Sequence, residues 1–171
     1  MDSEEIDCIL QSDSAVKKKY TKKIYCFDNL PLKMKKNKFY IVNTLSYKNS
    51  FKIPGHWCIY LYYSDNKLAF IDPFGVFPPK KFLDPMIRSS DEKTILLYNN
   101  VQLQNYSTST CAQHIIFLAT LFSHNYDLRT IFCKFYHVKN KTDFKFLKYD
   151  FIVNSFLIRY YDEYRSIFYD F

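Results

Sequence analysis

Four residues of this 171-residue chain carry side chains suited to nucleophilic catalysis: His56, Asp72, Gln104 and Cys111. A cysteine at the start of a helix is favoured as a thiolate, because the N-terminal amides and the helix dipole stabilise negative charge. Histidine titrates near neutral pH and is the natural base for such a thiol. A carboxylate can orient the imidazole, and a side-chain amide can join the backbone N–H of Cys111 as an oxyanion donor.

Each of these residues also has an ordinary structural interpretation. Cys111 fits a small buried apolar residue, and His56 fits a packed histidine at the start of a strand. The Asp72-Pro73 pair fits a strand terminator, and Gln104 fits a solvated loop in which Gln102 is the amide that points inward.

The chain holds only two glycines, where about 12 would be expected from a usage of roughly 7%. Gly55 precedes His56-Trp57, and Gly75 ends the string Asp72-Pro73-Phe74-Gly75. Glycine supplies positive φ or a close backbone approach. Both glycines therefore mark segments next to the candidate chemistry.

The elements that must position these side chains can be read from the hydrophobic pattern. The predicted elements are a short helix in 2–16, strands at 39–43, 56–63, 68–71 and 94–98, a buried helix at 111–123 that Ser109 or Thr110 caps, and further helices at 127–136 and from Thr142 onward. Prolines predict an irregular segment at 73–90, and 44–54 and 99–110 are predicted loops. We expect one α+β domain over residues 1–171, with a small, mostly antiparallel sheet flanked by helices.

The hairpin at 56–72 presents a geometric problem. A two-residue turn at 65–66 would place Asp72 opposite residue 59, three residues and about 10 Å along the strand from His56. A bulge, a longer loop or an early exit from the ladder must bring the two side chains together.

The chain is basic, with 24 Lys and Arg against 17 Asp and Glu, a net charge of +7 and a pI near 9.0. Nine lysines lie in 17–38 against the single acid Asp28. The candidate nucleic-acid contacts are Lys17, Lys18, Lys19, Lys22, Lys23, Lys35 and Lys36. Such contacts would be sequence-independent and sensitive to salt. The alternative is a solvated face enriched in lysine by codon usage.

The five cysteines are scattered and odd in number, which argues against a disulfide framework and favours a reducing intracellular compartment. Because the chain has no C-x-x-C pair and no metal-like histidine spacing, we expect no metal site. His114, one turn after Cys111, is the rival candidate base, and Cys8, Cys26 and Cys133 are interpreted as structural. No apolar stretch approaches the roughly 20 residues of a membrane span.

The order His, Asp, Gln, Cys, with these neighbours, resembles the adenovirus protease (adenain-like) family of cysteine proteases, which includes enzymes of Polinton-type elements and virophages. The matching strings are Ile41-Val42-Asn43-Thr44, Gly55-His56-Trp57, Asp72-Pro73-Phe74-Gly75, Gln104 seven residues before Cys111, Ser155-Phe156-Leu157, Arg159 and Tyr164-Arg165-Ser166. They span residues 41 to 166, and residues 1–40 match only loosely.

The resemblance implies a papain-like fold with permuted chain order. It implies Cys111 as nucleophile, His56 as base and then acid, Asp72 as imidazole orienter and Gln104 as oxyanion donor. The family often has Glu in place of Asp72, and its substrates carry small residues, often a glycine pair, at the cut. Trp57 and Gly55 are the expected substrate-binding residues, since a bulky aromatic beside a glycine suits a narrow cleft.

The implied function is maturation of viral capsid or other virion precursors by a monomer, in the virion and the infected cell. The chemistry itself needs no cofactor, while DNA and a non-covalent peptide are the candidate activators. The stretch 89–94 contains no cysteine, which argues against the disulfide-linked activating peptide of the adenovirus enzyme.

Two other function classes fit the sequence. One is a ubiquitin-like-modifier isopeptidase of the SUMO-protease type, which shares the His-Asp-Gln-Cys order. The other is a non-enzymatic basic protein that binds nucleic acid. The seven-residue spacing from Gln104 to Cys111 and the Pro-Phe-Gly string favour the viral protease.

Overall fold

A computed structural model describes residues 1–50, 52–53, 55–136 and 145–162, with side chains described except at 134–136 and 145–148. The helices are α1 (Ser3–Ser12), α2 (Ser14–Lys19), α3 (Tyr47–Ser50), α4 (Lys80–Ser89), α5 (Cys111–Ser123), α6 (Leu128–Tyr136) and α7 (Lys145–Tyr160). The strands are β1 (Tyr20–Cys26), β2 (Lys38–Asn43), β3 (Trp57–Tyr62), β4 (Lys67–Ile71) and β5 (Ile95–Tyr98).

The five strands form one mixed sheet in the order β1-β2-β3-β4-β5. The central pairs β2–β3 and β3–β4 are antiparallel, whereas the outer pairs β1–β2 and β4–β5 are parallel. The α+β class is therefore confirmed, but the prediction of a mostly antiparallel sheet is wrong. Parallel neighbours need a crossover connection, and α4 lies in the connection from β4 to β5.

The central strand β3 is buried along its whole length and faces two apolar layers. Ile59 and Leu61 belong to the larger core, to which α1, α5 and α7 contribute. Tyr60 and Tyr62 belong to a second core with Phe82 of α4. Helices therefore cover both faces of the sheet, and the end of β3 lies between the two layers.

Helix α5 is the most buried helix, with every residue from Ala112 to Ser123 buried. Its observed bounds, Cys111–Ser123, agree with the prediction. Helix α6 also agrees with its prediction within one residue. The continuous apolar surface of α5 is typical of a helix enclosed on all sides, and it packs on β3.

Two elements of more than one turn were missed from the sequence, in addition to the one-turn helix α3. The segment predicted to be irregular contains α4, which starts after Pro79 and carries Pro85 inside it. Proline in a helix removes one hydrogen bond, but Phe82, Pro85 and Met86 are buried against the sheet, and this burial outweighs the cost. Strand β1 was missed because its lysines obscure the alternation of apolar residues.

The terminal helices differ in detail from the predictions. The predicted N-terminal helix is two helices, because Asp13 ends α1 and caps α2 through the N–H groups of Ala15 and Val16. The predicted loop at 44–54 contains the one-turn helix α3. In α7, the apolar Phe151 and Ile152 that helped to predict the helix are exposed.

The predicted helix start at Thr142, the Tyr164-Arg165-Ser166 string and Pro54 lie outside the described residues. Among the helices of the described part of the chain, none has the length and apolar character to cross a bilayer.

Candidate active site

The turn between β3 and β4 has three residues and resolves the geometric problem of the hairpin. The Tyr63 N–H donates to the Lys67 carbonyl (2.8 Å), and Asn66 has a positive φ of 65°, which is typical of a three-residue hairpin loop. Ile59 pairs with Ile71, so the same register places Asp72 opposite Cys58. His56 is then only two residues away and on the same face as Asp72.

His56 and Asp72 are in direct contact. The Nε2 atom of His56 lies 2.6 Å from Oδ1 of Asp72, so the shorter aspartate side chain reaches the ring unaided. The ring of Phe74 stacks on the His56 ring, with centroids 4.4 Å apart, and Tyr106 stacks on the other side of Phe74. Stacking and the hydrogen bond together fix the plane of the imidazole.

The backbone of Asp72 is held by a buried asparagine. Asn99 accepts a hydrogen bond from the Asp72 N–H (2.9 Å) and donates one to the Asp72 carbonyl (2.7 Å). Oδ1 of Asp72 also accepts the Phe74 N–H (2.8 Å). The carboxylate therefore keeps its direction through contacts on its backbone and on its side chain.

Gly75 allows the Asp72 turn to press against the segment before Gln104. It has φ of +70°, and an added Cβ would lie 2.6 Å from the carbonyl carbon of Val101. The Pro73 carbonyl accepts hydrogen bonds from the N–H groups of Leu103 (2.8 Å) and Gln104 (2.9 Å). The loops that carry Asp72 and Gln104 are thus joined as one unit.

Cys111 begins α5 and is hydrogen-bonded to His56. Burial alone would raise the pKa of the thiol, but the hydrogen bonds from His56 and from the backbone N–H groups of Trp57 and Ala112 outweigh burial and lower it. Asp72 occupies Nε2 of His56, which leaves Nδ1 as the ring nitrogen available to the sulfur. The structure therefore brings Cys111, His56 and Asp72 together.

The pKa of His56 is shifted in the opposite direction. Burial would lower it, but hydrogen bonds with Asp72, Cys111 and Cys58 raise it to about 12. A lowered thiol pKa beside a raised imidazole pKa favours a thiolate–imidazolium pair at neutral pH.

Gln104, rather than Gln102, is the buried amide. Its side chain is 1% exposed, and Nε2 donates to the carbonyl of Thr108 (2.6 Å), three residues before Cys111. Gln102 is only half-buried and donates to the Gln104 carbonyl (2.7 Å). The Oε1 atom of Gln104 has no hydrogen-bond partner within the part of the chain that the structure describes. The oxyanion role of this amide stays a prediction.

A buried carboxylate on α7 fastens the loop between Gln104 and Cys111. The two oxygens of Asp150 accept hydrogen bonds from the hydroxyls of Thr108 (2.8 Å) and Thr110 (2.8 Å). Thr110 therefore occupies the N-cap position of α5 without capping it through its side chain, and the predicted capping role is wrong. Asp150 instead sets the position of the helix start.

His114 belongs to this structural network. Its Nδ1 atom lies 2.9 Å from the Thr110 carbonyl, and Nε2 lies 3.5 Å from Asp150. Burial lowers the pKa of His114 and favours the neutral ring. The histidine that lowers the pKa of Cys111 is His56.

The two predicted substrate-binding residues lie on one cavity. Gly55 and Trp57 line a space of about 490 Å³ together with the start of α1, strand β1 and α3. An added Cβ on Gly55 would lie 2.6 Å from Cγ of Asn43. The wall of this cavity next to His56 therefore requires glycine.

The seven candidate nucleic-acid lysines lie on α2, on β1 and before β2. Six are exposed: Lys17, Lys18, Lys22, Lys23, Lys35 and Lys36. Lys19 instead contacts Asn125 (2.7 Å), and Lys36 pairs with Asp91 (3.2 Å). Lys22 and Lys23 lie at an irregularity of the edge strand β1. Lysine on an edge strand also prevents pairing with a strand of another molecule.

Sequence reasoning assigned no role to four residues that contact the site: Cys58, Phe74, Asn99 and Asp150. Phe74 was part of the Pro-Phe-Gly string, and Cys58 follows His56 by two residues in a predicted strand, so both carried a usable signal. Asp150 is an acid three residues before the buried Val153 and could have indicated a polar contact. Asn99 carried no signal in a polar loop.

No protein-family model matches the chain, and a search of curated proteins finds no significant match.

We predict that Gly75→Ala destabilises the protein by about 1–3 kcal/mol, because alanine is strained at positive φ and its Cβ would meet the Val101 backbone. The free energy of unfolding in urea measures the effect. Asn66→Gly is the matched control, since it also has positive φ, and its effect should stay below about 1 kcal/mol. Equal effects of the two substitutions would contradict the assigned close approach.

We predict that a thiol-alkylating reagent labels Cys111 faster at pH 7 than the exposed Cys8 and Cys133. Its rate should rise with pH around a midpoint below that of the exposed thiols, because the Cys111 pKa is lowered. His56→Ala should slow the labelling and move the midpoint upward, because the thiolate loses its cationic partner. Peptide mass spectrometry resolves the cysteines.

His114→Ala is the control for the labelling experiment. It removes a nearby imidazole that does not determine the Cys111 pKa, so the midpoint should be retained. Slow, uniform labelling of the cysteines would exclude an activated thiol.

Proposed function

We propose that the protein is a cysteine endopeptidase that cleaves virion precursor proteins at sites with small residues such as a glycine pair. The observation that carries the proposal is the contact of Cys111, at the start of a buried helix, with a histidine whose other ring nitrogen lies 2.6 Å from Asp72. A thiol, an imidazole and a carboxylate in this arrangement support the roles of nucleophile, base and orienting group in a cysteine protease.

The chemistry follows from the two pKa shifts. The Cys111 thiolate attacks the scissile carbonyl carbon, and the carbonyl oxygen becomes an oxyanion. The His56 imidazolium then gives its proton to the leaving amine, so that an acyl thioester remains on the sulfur. A water molecule, deprotonated by the now neutral His56, hydrolyses the thioester and regenerates the thiolate.

Gln104 and the Cys111 backbone N–H are the proposed oxyanion donors. Support comes from the burial of the Gln104 amide and from its bond to Thr108 in the loop that leads to Cys111. The clamp of Asp150 on Thr108 and Thr110 supports a preorganised loop. Donors fixed before the reaction stabilise the developing charge without reorganisation.

The viral branch of the proposal rests on the resemblance to adenain-like proteases. The strings Gly55-His56-Trp57 and Asp72-Pro73-Phe74-Gly75 surround the contacts described above, which gives both glycines of the chain a physical reason. A papain-related fold with permuted order, action in the virion and infected cell, and activation by DNA or a non-covalent peptide are parts of this proposal.

An isopeptidase acting on ubiquitin-like modifiers would use the same catalytic residues. It differs from the proposed endopeptidase in its substrate. A non-enzymatic nucleic-acid-binding protein would use the exposed lysines and would not need a thiol with a lowered pKa. The contact with His56 and the backbone N–H groups that lower the Cys111 pKa favour an enzyme over this last alternative.

The proposal predicts that the recombinant protein cleaves double-glycine precursor peptides and that Cys111→Ala does not. The same panel includes a ubiquitin-like fusion, and each digestion is run with and without duplex DNA. Mass spectrometry of the products gives the cut position. Cys133→Ser is the control, since it changes an exposed cysteine on α6, away from the site, and should retain activity.

Preferred cleavage of the ubiquitin-like fusion would replace the viral endopeptidase by the isopeptidase. Salt-sensitive DNA binding with no cleavage and no fast labelling of Cys111 would favour the non-enzymatic alternative.

We also predict that Gln104→Ala lowers kcat by about 10²–10³ with little change in KM, because the lost donor acts mainly in the transition state. Gln102→Ala is the matched control and should have a much smaller effect on kcat. An equal effect of the two substitutions would contradict the assignment of Gln104.

A further inference from the structure

Cys58 is a buried thiol that the proposed mechanism does not use. It follows His56 by two residues, and the register of β3 and β4 places it opposite Asp72. The candidate ligand atoms of His56, Cys58 and Asp72 all lie within 4.8 Å of one another. The result is a nitrogen, a sulfur and an oxygen atom grouped on one side of the imidazole.

This grouping is not a second nucleophilic site. Burial is the main cause that raises the pKa of Cys58 to about 12, so the thiol is protonated at neutral pH. A protonated, fully buried thiol is a poor nucleophile. It can still bind a metal ion, because a coordinating cation displaces the thiol proton.

We propose that His56, Cys58 and Asp72 form an inhibitory binding site for a thiophilic divalent cation, with Zn²⁺ as the best fit. Zinc binds His nitrogen, Cys sulfur and carboxylate oxygen at about 2.0–2.3 Å, which separates neighbouring ligand atoms by about 3.3–3.6 Å in a tetrahedron. His56 Nε2 and Asp72 Oδ1, which are 2.6 Å apart, must separate by about 0.7 Å. A ligand pair at the 4.8 Å limit of the cluster must close by about 1.2 Å.

The surroundings favour such a site. The side chains of His56 and Asp72 are 19% and 11% exposed, which provides a path for an ion. The Phe74 N–H donates to the Asp72 carboxylate, and Asn99 holds the Asp72 backbone; such outer contacts orient metal ligands. The sulfur ligand selects against Mg²⁺ and Ca²⁺, which prefer oxygen.

Binding is balanced by the release of protons. Zn²⁺ takes the Nε2 lone pair of His56 and the thiolate of Cys58, and the protons of the imidazolium nitrogen and of the thiol pass to solvent. Asp72 binds as the carboxylate. The ring keeps its Nδ1 proton but becomes a neutral, metal-bound imidazole. It therefore no longer stabilises the Cys111 thiolate as an imidazolium, and it is a much weaker acid toward a leaving amine. This inhibitory consequence rests on the proposed function, whereas the binding itself does not.

The test uses the full chain with Cys111→Ala, which removes the reactive thiol. Titration with Co²⁺ should give a thiolate-to-cobalt charge-transfer band at one equivalent, and Zn²⁺ should abolish the band. The band should be lost in Cys111→Ala combined with Cys58→Ser or with Asp72→Asn. It should persist with Cys26→Ser, another buried cysteine, as the matched control.

A second measurement follows the alkylation of Cys111 in the protein that retains this cysteine. Zn²⁺ should slow this labelling, and Cys58→Ala should raise the zinc concentration for half-inhibition at least about tenfold. The labelling rate of each variant with Zn²⁺ is compared with the rate of the same variant in the presence of a chelator. A changed rate without metal therefore does not affect the result. Circular dichroism verifies that the Cys58 variants fold.

A missing cobalt–thiolate band, or one that survives Cys58→Ser, would overturn the proposal. If Zn²⁺ slowed the labelling of Cys111 equally in the Cys58→Ala variant and in the protein with Cys58, the ion would bind at Cys111. That result would also overturn the proposal. Cobalt binding with the expected losses, but no peptide cleavage, would uphold the metal site and refute only the endopeptidase.

Discussion

The hydrogen bond between His56 and Asp72 depends on the length of one turn. A three-residue loop after Tyr63 places Asp72 opposite Cys58, on the same face as His56. A shift of the register by one residue would turn Asp72 to the opposite face of the sheet. Asn66, with its positive φ, therefore determines whether the carboxylate and the imidazole can meet, although it lies at the other end of the hairpin.

The remaining contacts convert this single bond into a rigid site. Asn99 holds both backbone groups of Asp72, and the Pro73 carbonyl holds the segment that carries Gln104. Asp150 fixes the loop that leads to Cys111. The residues of the proposed catalytic site are spread over 56 to 111, so the polar contacts among loops supply the precision that the sheet alone cannot give.

The sequence predicted what local patterns encode. The strands β2 to β5, the buried helix α5 and the grouping of His56 with Asp72 and Cys111 follow from alternation, apolar runs and residue types. It did not predict β1, because lysines on an edge strand interrupt the apolar pattern, or α4, because Pro85 is tolerated only when its face is buried. Asn99 and Asp150 act through contacts with residues 27 and 40 to 42 positions away, which no local pattern reveals.

Cys58 and Cys111 show how neighbouring thiols acquire opposite properties. Both are hydrogen-bonded to His56, and burial raises the pKa of both. Cys111 has in addition the backbone N–H groups of Trp57 and Ala112, which donate to the sulfur and favour the thiolate. Cys58, opposite Asp72, meets the negative charge of that carboxylate and of Cys111, which favour the thiol. Complete burial, together with the nearby negative charge, therefore raises the pKa of Cys58, whereas the donors to the Cys111 sulfur outweigh its partial burial and lower its pKa.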